Sequence, residues 1–95
     1  MKLIVSRAAV ADIVRLRTFL ADKDHRIAQR AVAVIRTAIQ SLVDFPERGR
    51  PSGIAGAREL IVPFGGSAYL IRYAHVSEAD EIIVLHVWHG REARD

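Results

Sequence analysis

The 95-residue sequence contains no cysteine. That absence excludes disulfides, thiolate metal sites and a cysteine nucleophile, leaves stability to the hydrophobic core, and points to a cytoplasmic setting. Long apolar runs are also missing. The longest, AVAVI at residues 31–35, falls far short of the ~20 residues a membrane-spanning helix needs. The opening MKLIVSR meets Arg7 before a signal-peptide apolar region can form, so no membrane insertion is expected. No phosphate-binding glycine loop precedes a helix. Asp12, Asp22, Asp24 and Asp44 form no carboxylate pair at a defined spacing and read as caps and solvated charges.

What is present suits one small domain spanning residues 1–95. Hydrophobic residues make up 51% of the chain and charged residues 26%, enough for a single modest core. The net charge is +3, with the basic excess in the first half: +5 over residues 1–50 against −2 over 51–95. Twelve of the fourteen basic residues are arginine, which suits bidentate contact with carboxylate or phosphate. Such a composition fits an RNA ligand, an acidic protein partner or plain solubility.

Leu3, Ile4 and Val5 form a brief first strand, and Ser6 can cap a helix running from residue 8 to about 22, with Ala9, Ile13, Leu16 and Leu20 on its apolar stripe and Asp12, Arg15 and Asp22 elsewhere. Asp24 can cap a second helix, along which Ala28, Val32, Ile35, Ile39 and Leu42 recur at spacings of four and three until Pro46 stops it. The linker is about three residues, so the helices pack as an antiparallel hairpin. PERGRPSGIAGA holds two prolines and three glycines and reads as a loop. Three apolar runs follow, residues 58–63, 68–76 and 81–89, separated by FGGS and SEADE, and form a meander. The expected fold is α+β in the order β-α-α-β-β-β, a helix hairpin on a small, mainly antiparallel sheet. The first strand should run antiparallel to the second and fourth and parallel to the third.

Alternation along IIVLHVWHG puts Ile83, Leu85 and Val87 toward the helices and Ile82, Val84, His86 and Trp88 on the other face. Tyr69 and Tyr73, one strand over, would make that second face an open aromatic surface if they share it; the parity of their strand is not fixed by the sequence. Arg72 alternates with them and lies either at an edge or in a groove, with a structural salt bridge to Glu59 as the expected role. His86 and His89 would meet on a helix but point to opposite faces of a strand, so a metal site is not expected. His89 is the candidate general base. It precedes Gly90, which should release the chain from the ladder and leave Arg91 and Arg94 available, and imidazole with guanidinium could move a proton and stabilise a phosphorane-like charge. Ser67 follows Gly65 and Gly66 in a hairpin turn, not a strand-to-helix elbow, which argues against a nucleophilic serine.

Taken in order, SRAAVADIVRLRTFL, FPERGRP, RELIVPFGGSAYLIRY and IIVLHVWHGREAR resemble the ParE/RelE superfamily of type II toxin–antitoxin toxins, most closely its ParE-like branch. The resemblance spans nearly the whole chain. It implies a small basic, growth-inhibiting toxin of the kind linked to plasmid stabilization. It also implies an adjacently encoded, ParD-like or related antitoxin whose C-terminal segment wraps the helix hairpin and sheet, across Ile13, Arg15, Arg26, Arg30, Tyr69 and Tyr73. Trp88, His89, Arg91 and Arg94, with Arg72, are the residues expected to meet the target. ParE-like members act on DNA gyrase, so nucleic acid would be reached only indirectly, and no cofactor is implied. RelE-like members are instead ribosome-dependent mRNA endonucleases. They carry lysines on the second strand, an arginine after the tyrosine that opens the third, an arginine near the end of the last strand and a tyrosine in the tail. Here the second strand offers Leu60, Ile61 and Val62, Leu70 follows Tyr69, and no tyrosine follows Tyr73; Arg91 alone matches. If the chain is a nuclease, His89 and Arg91 are its catalytic candidates.

Overall fold

The computed structural model describes residues 1–92. The order is β1 (Lys2–Val5), α1 (Arg7–Ala21), α2 (His25–Asp44), β2 (Arg50–Pro51), β3 (Ala57–Phe64), β4 (Ser67–Val76), a 3-10 turn (Ser77–Ala79) and β5 (Glu81–His89). Both caps form as the sequence predicts. Ser6 Oγ accepts from the Ala9 N–H, and Asp24 Oδ1 accepts from those of Arg26 and Ile27, so each helix start has side-chain acceptors for its unpaired amides. The two helices lie on one face of a five-stranded sheet ordered β1-β5-β4-β3-β2. Between them Leu16, Ile35 and Leu42 meet Ile71, Tyr73, Ile82 and Val84 in one core. No described helix is long and apolar enough to cross a membrane.

Two expectations are corrected. β1 runs parallel to β5, the fourth of the strands foreseen, and not antiparallel to it. The cause is β2, a two-residue strand inside the proline- and glycine-rich loop. It pairs antiparallel with β3 and adds one more reversal of the chain. The helix-facing side of β5 also differs, because Ile82 and Val84 are fully buried in the core in place of Ile83 and Leu85. Pairing is Arg72 with His86 but Tyr73 with Val84, which leaves Leu85 as an extra, bulged residue. The bulge inverts the alternation within the strand, so Val87 still points inward as expected.

The loop before β3 is held by one side chain. Tyr73 is completely buried; its hydroxyl donates to the Pro46 carbonyl (2.7 Å) and accepts from the Gly49 N–H (2.8 Å), while Arg58 Nη1 donates to the Gly49 carbonyl (2.7 Å). Residue 49 must be glycine for this approach, since a Cβ there would lie 2.7 Å from Tyr73 Cε1 and 2.9 Å from the Glu59 carbonyl oxygen. The close approach accounts for the glycine of FPERGRP. Tyr73→Phe strands a buried amide and Gly49→Ala forces the loop off the sheet, so each should cost about 1–3 kcal/mol. Thermal melts should fall by roughly 4–8 °C per kcal/mol, while the exposed control Gly53→Ala leaves the melt within about 2 °C.

Candidate functional site

β5 is the strand on which the site is built. β1 covers its edge only as far as Val84; beyond that, three side chains stand in for a neighbouring strand. Ser6 Oγ donates to the Leu85 carbonyl (3.0 Å), Asp12 Oδ2 accepts from the Val87 N–H (2.9 Å), and Glu92 Oε1 accepts from the His89 N–H (2.8 Å). Asp12 is buried against this edge, and takes further hydrogen bonds from Arg15 Nη1 (2.7 Å) and the His86 Nδ1 side (3.0 Å). Burial pushes its carboxyl up, but the bonds from Val87, Arg15 and His86 outweigh that and hold it below the usual carboxylate range. Arg15 is raised in turn, first by its bond to Asp12, and also reaches Glu92 Oε1 at 3.2 Å. Asp12 is thus a buried edge acceptor and not the cap or solvated charge expected from its sequence position. The available signal was its position three residues after Ala9 and four before Leu16, on the stripe that faces the sheet.

Beside this edge, a cleft of about 440 Å³ opens between α1 and the β3–β4 hairpin. Leu16, Phe19, Leu20, Phe64 and Tyr69 make it apolar, and Arg15 and Arg91 stand at its lining. His89 lies in it with its ring edge-on to Tyr69, centroids 5.7 Å apart. The Arg91 N–H donates to His89 Nδ1 (3.2 Å), which fixes the neutral tautomer with hydrogen on Nε2; that nitrogen then donates to Ser67 Oγ at 2.9 Å. Ser67 is thus an acceptor for His89 and not a nucleophile activated by it. Burial raises the Tyr69 phenol, with the Glu92 charge adding to the effect.

The opposite face of the sheet carries Arg72 and Trp88. Arg72 Nη2 and Nε reach Glu59 Oε2 at 3.0 and 3.3 Å in a largely buried ion pair, the partner foreseen from the sequence. Its guanidinium carbon lies 4.8 Å from the Trp88 ring centroid, and the His86 ring stacks on that indole at 5.0 Å. Arg72 is therefore committed to the fold, and Trp88 is only 9% exposed. Tyr73 points into the core and cannot touch a partner, because its strand's helix-facing parity is that of Tyr69, Ile71 and Tyr73. The open aromatic surface does not form: the neighbours of His86 and Trp88 are Arg72 and Leu70. Tyr69 is buried in the same inward row, as part of the cleft lining. Ile13 is half-buried against the core, Arg15 is tied to two carboxylates, and Arg26 and Arg30 stand exposed on α2. His89 and Arg91 come together in the cleft; Arg94 lies outside the described residues. Gly90 does not release the ladder, since its N–H still donates to the Ala68 carbonyl (2.8 Å), and the Glu92 N–H closes a turn onto the His89 carbonyl.

The family model described as the ParE toxin of the type II toxin–antitoxin system parDE matches residues 3–94. The chain belongs to this ParE toxin family. Among curated relatives, Toxin RelE1 of Caulobacter vibrioides is 40% identical over 91 residues, 96% of this chain and 95% of its own, and Toxin RelE2 of the same organism is 38% identical over 65 residues, 68% of this chain and 69% of its own. The fold is similar to that in the chromosomal ParDE system of P. aeruginosa, with TM-score 0.79, 24% identity, and 94% and 95% of the two chains covered. It is also similar to that in the intact E. coli RelBE toxin–antitoxin complex, with TM-score 0.62, 15% identity, and 98% of each chain covered. Within this ParE-family chain the sequence pattern Ala-x-x-Asp of the first helix acquires a physical reason: the small residue lets α1 approach β5, and the aspartate closes the edge.

Because the folded-state pKa of Asp12 lies below its unfolded value near ~3.9, its contribution is fully present above that pH and is lost as pH falls through the folded value. Asp12→Asn should therefore cost about 1–3 kcal/mol in urea denaturation at pH 7, with the gap from wild type shrinking as pH is lowered below 4.

Proposed function

We propose that this toxin inhibits growth by binding, with DNA gyrase as its target, and that a cognate acidic antitoxin neutralises it by covering the helix hairpin and cleft. The observation that carries the reading is the state of His89. A general base in phosphodiester cleavage needs a free lone pair near the reacting hydroxyl and fixed cations around the developing charge. The Nδ1 lone pair of His89 is engaged by the Arg91 N–H, its Nε2 hydrogen by Ser67, and Arg72 on the far face is spent on Glu59. An apolar cleft with exposed Arg91 at its side suits a protein segment that buries aromatic or aliphatic anchors. The ParE family match supports gyrase as the target, and the net positive first half supports an acidic antitoxin.

The second reading, an mRNA endonuclease, is favoured by the name of the two Caulobacter relatives and by the contact of His89 with Ser67 beside Arg91. One experiment separates the two. Purified protein is added to gyrase and relaxed plasmid, and mRNA ends are mapped after induction in cells. The binding reading expects supercoiling to stop and cleaved DNA complexes to accumulate, with Arg91→Ala at least roughly tenfold weaker and an unchanged melting temperature. Unimpaired gyrase, together with codon-specific mRNA cleavage that vanishes in His89→Ala, would overturn it.

A further inference from the structure

Both helices pack on one face of the sheet, and among the described residues no helix covers the other. An antiparallel sheet with one open side ordinarily turns polar residues toward it. Here the outward positions of β4, alternating with the inward Tyr69, Ile71 and Tyr73, are Ala68, Leu70, Arg72 and Ala74. Register sets them beside neighbours of like character. Leu70 lies between Trp88 on β5 and Ile61 on β3, and Ala74 between Ile83 and Ala57, so two apolar bands cross the face. One polar band separates them, formed by His86, Arg72, Glu59 and Arg50. Leu70 and Trp88 are buried although they lie outside the main core, whereas Ile61 beside them is 44% exposed. Charge on this side is balanced: Arg72 pairs with Glu59, and Lys2 stands opposite Glu81. The helix side is different, with Arg7, Arg17, Arg26, Arg30 and Arg36 all exposed.

We propose that this open face is a twofold interface between two copies of the chain, packed sheet against sheet. Charge decides the occupant. Approach by the helix side brings the exposed arginines of two copies together, whereas the sheet faces meet with their charges already balanced. A twofold axis along β4 sets Trp88 of each copy over Ile61 of the other, Leu70 over Leu70, and the part-exposed His86 ring over Glu59 of the Arg72 pair. With strands about 4.8 Å apart and a rise of about 3.3 Å per residue, the face offers roughly 500 Å² per copy, about 1,000 Å² in total, the lower bound for specific association. The cleft beside His89 lies on the other side of the sheet and stays open on both copies, so the interface holds or fails independently of the target proposed above.

Sedimentation equilibrium of the full chain between about 10 μM and 1 mM should show the mass rising from that of one chain toward that of two, with a dissociation constant below about 200 μM. Ile61→Arg should weaken association at least roughly tenfold and leave the melting temperature of dilute protein within about 2 °C, since the side chain is already half-exposed in one copy. Val14→Arg, 45% exposed but on α1, should change neither. A mixture of two isotope labels gives a reading without mutation, which keeps the test valid if the arginine variant fails to fold. Within one chain β4 separates Trp88 from Ile61 by about 9.6 Å at the usual strand spacing, so an indole-to-methyl NOE between differently labelled chains reports the pair itself. A chain that stays monomeric at about 1 mM would overturn the proposal. So would association weakened as much by Val14→Arg as by Ile61→Arg, or intermolecular NOEs confined to Phe19 or Val5. Ile61 signals that move only when antitoxin or gyrase is added to a monomer would overturn it too, because the face would then belong to that partner.

Discussion

A nine-residue strand bordered by a four-residue one has a problem of unpaired amides, and in this toxin the Asp12 carboxylate answers it. A buried main-chain N–H without an acceptor costs about 1–3 kcal/mol, and Val87 would have none once β1 has ended. Asp12 can reach it because Ala9, one turn earlier and fully buried, puts only a methyl group between α1 and the sheet. The same carboxylate holds Arg15, Arg15 holds Glu92, and Glu92 accepts from His89. Helix, strand and the turn after β5 are joined through one hydrogen-bonded series of alternating charge. A charge-assisted network of this kind is stronger than isolated surface pairs, since its acceptor is buried and fully satisfied.

The cleft inherits its shape from that chain. Glu92 draws the residues after β5 back against the strand, which places the Arg91 amide over His89 Nδ1 and fixes the imidazole tautomer. The histidine that looks from the sequence like a base at a free strand end is, in the folded chain, a satisfied hydrogen-bonding group in an apolar wall. On the far face Arg72 follows the same logic: breaking a buried ion pair costs about 3–5 kcal/mol, so Glu59 keeps the guanidinium in place. In both places a side chain that reads from the sequence as open to chemistry is engaged within the fold.

The parts of the fold legible in the sequence are those with a local physical cause. Ser6 and Asp24 announce helix starts, and the four-and-three spacing from Ala28 to Leu42 gives the second helix its buried face. The Arg72–Glu59 pair was readable because the two residues lie opposite each other on neighbouring strands. Where tertiary context decides, local pattern fails. Two residues, one of them Pro51, leave no periodic trace of β2, and missing that strand reverses the inferred direction of β1. The bulge at Leu85 cannot be seen in an apolar run, so Ile82 and Val84 were placed on the wrong face. The face of Tyr73 stayed open because its strand is apolar on both sides, and its expected place against the antitoxin gives way to a place in the core. Asp12 was hidden by its charge, since a carboxylate on an apolar stripe makes sense only once an unpaired amide is known to face it.

Amide hydrogen exchange at Val87, compared between wild type and Asp12→Ala, tests most directly whether this one carboxylate closes the edge of β5. The wild-type Val87 amide should exchange as slowly as that of the core residue Ile71. In the variant it should exchange roughly 30-fold faster than Ile71 does in the same protein, the equivalent of about 2 kcal/mol of local protection lost. A Val87 amide that stays level with Ile71 after the substitution would contradict the account, because the edge would then be closed by something other than Asp12.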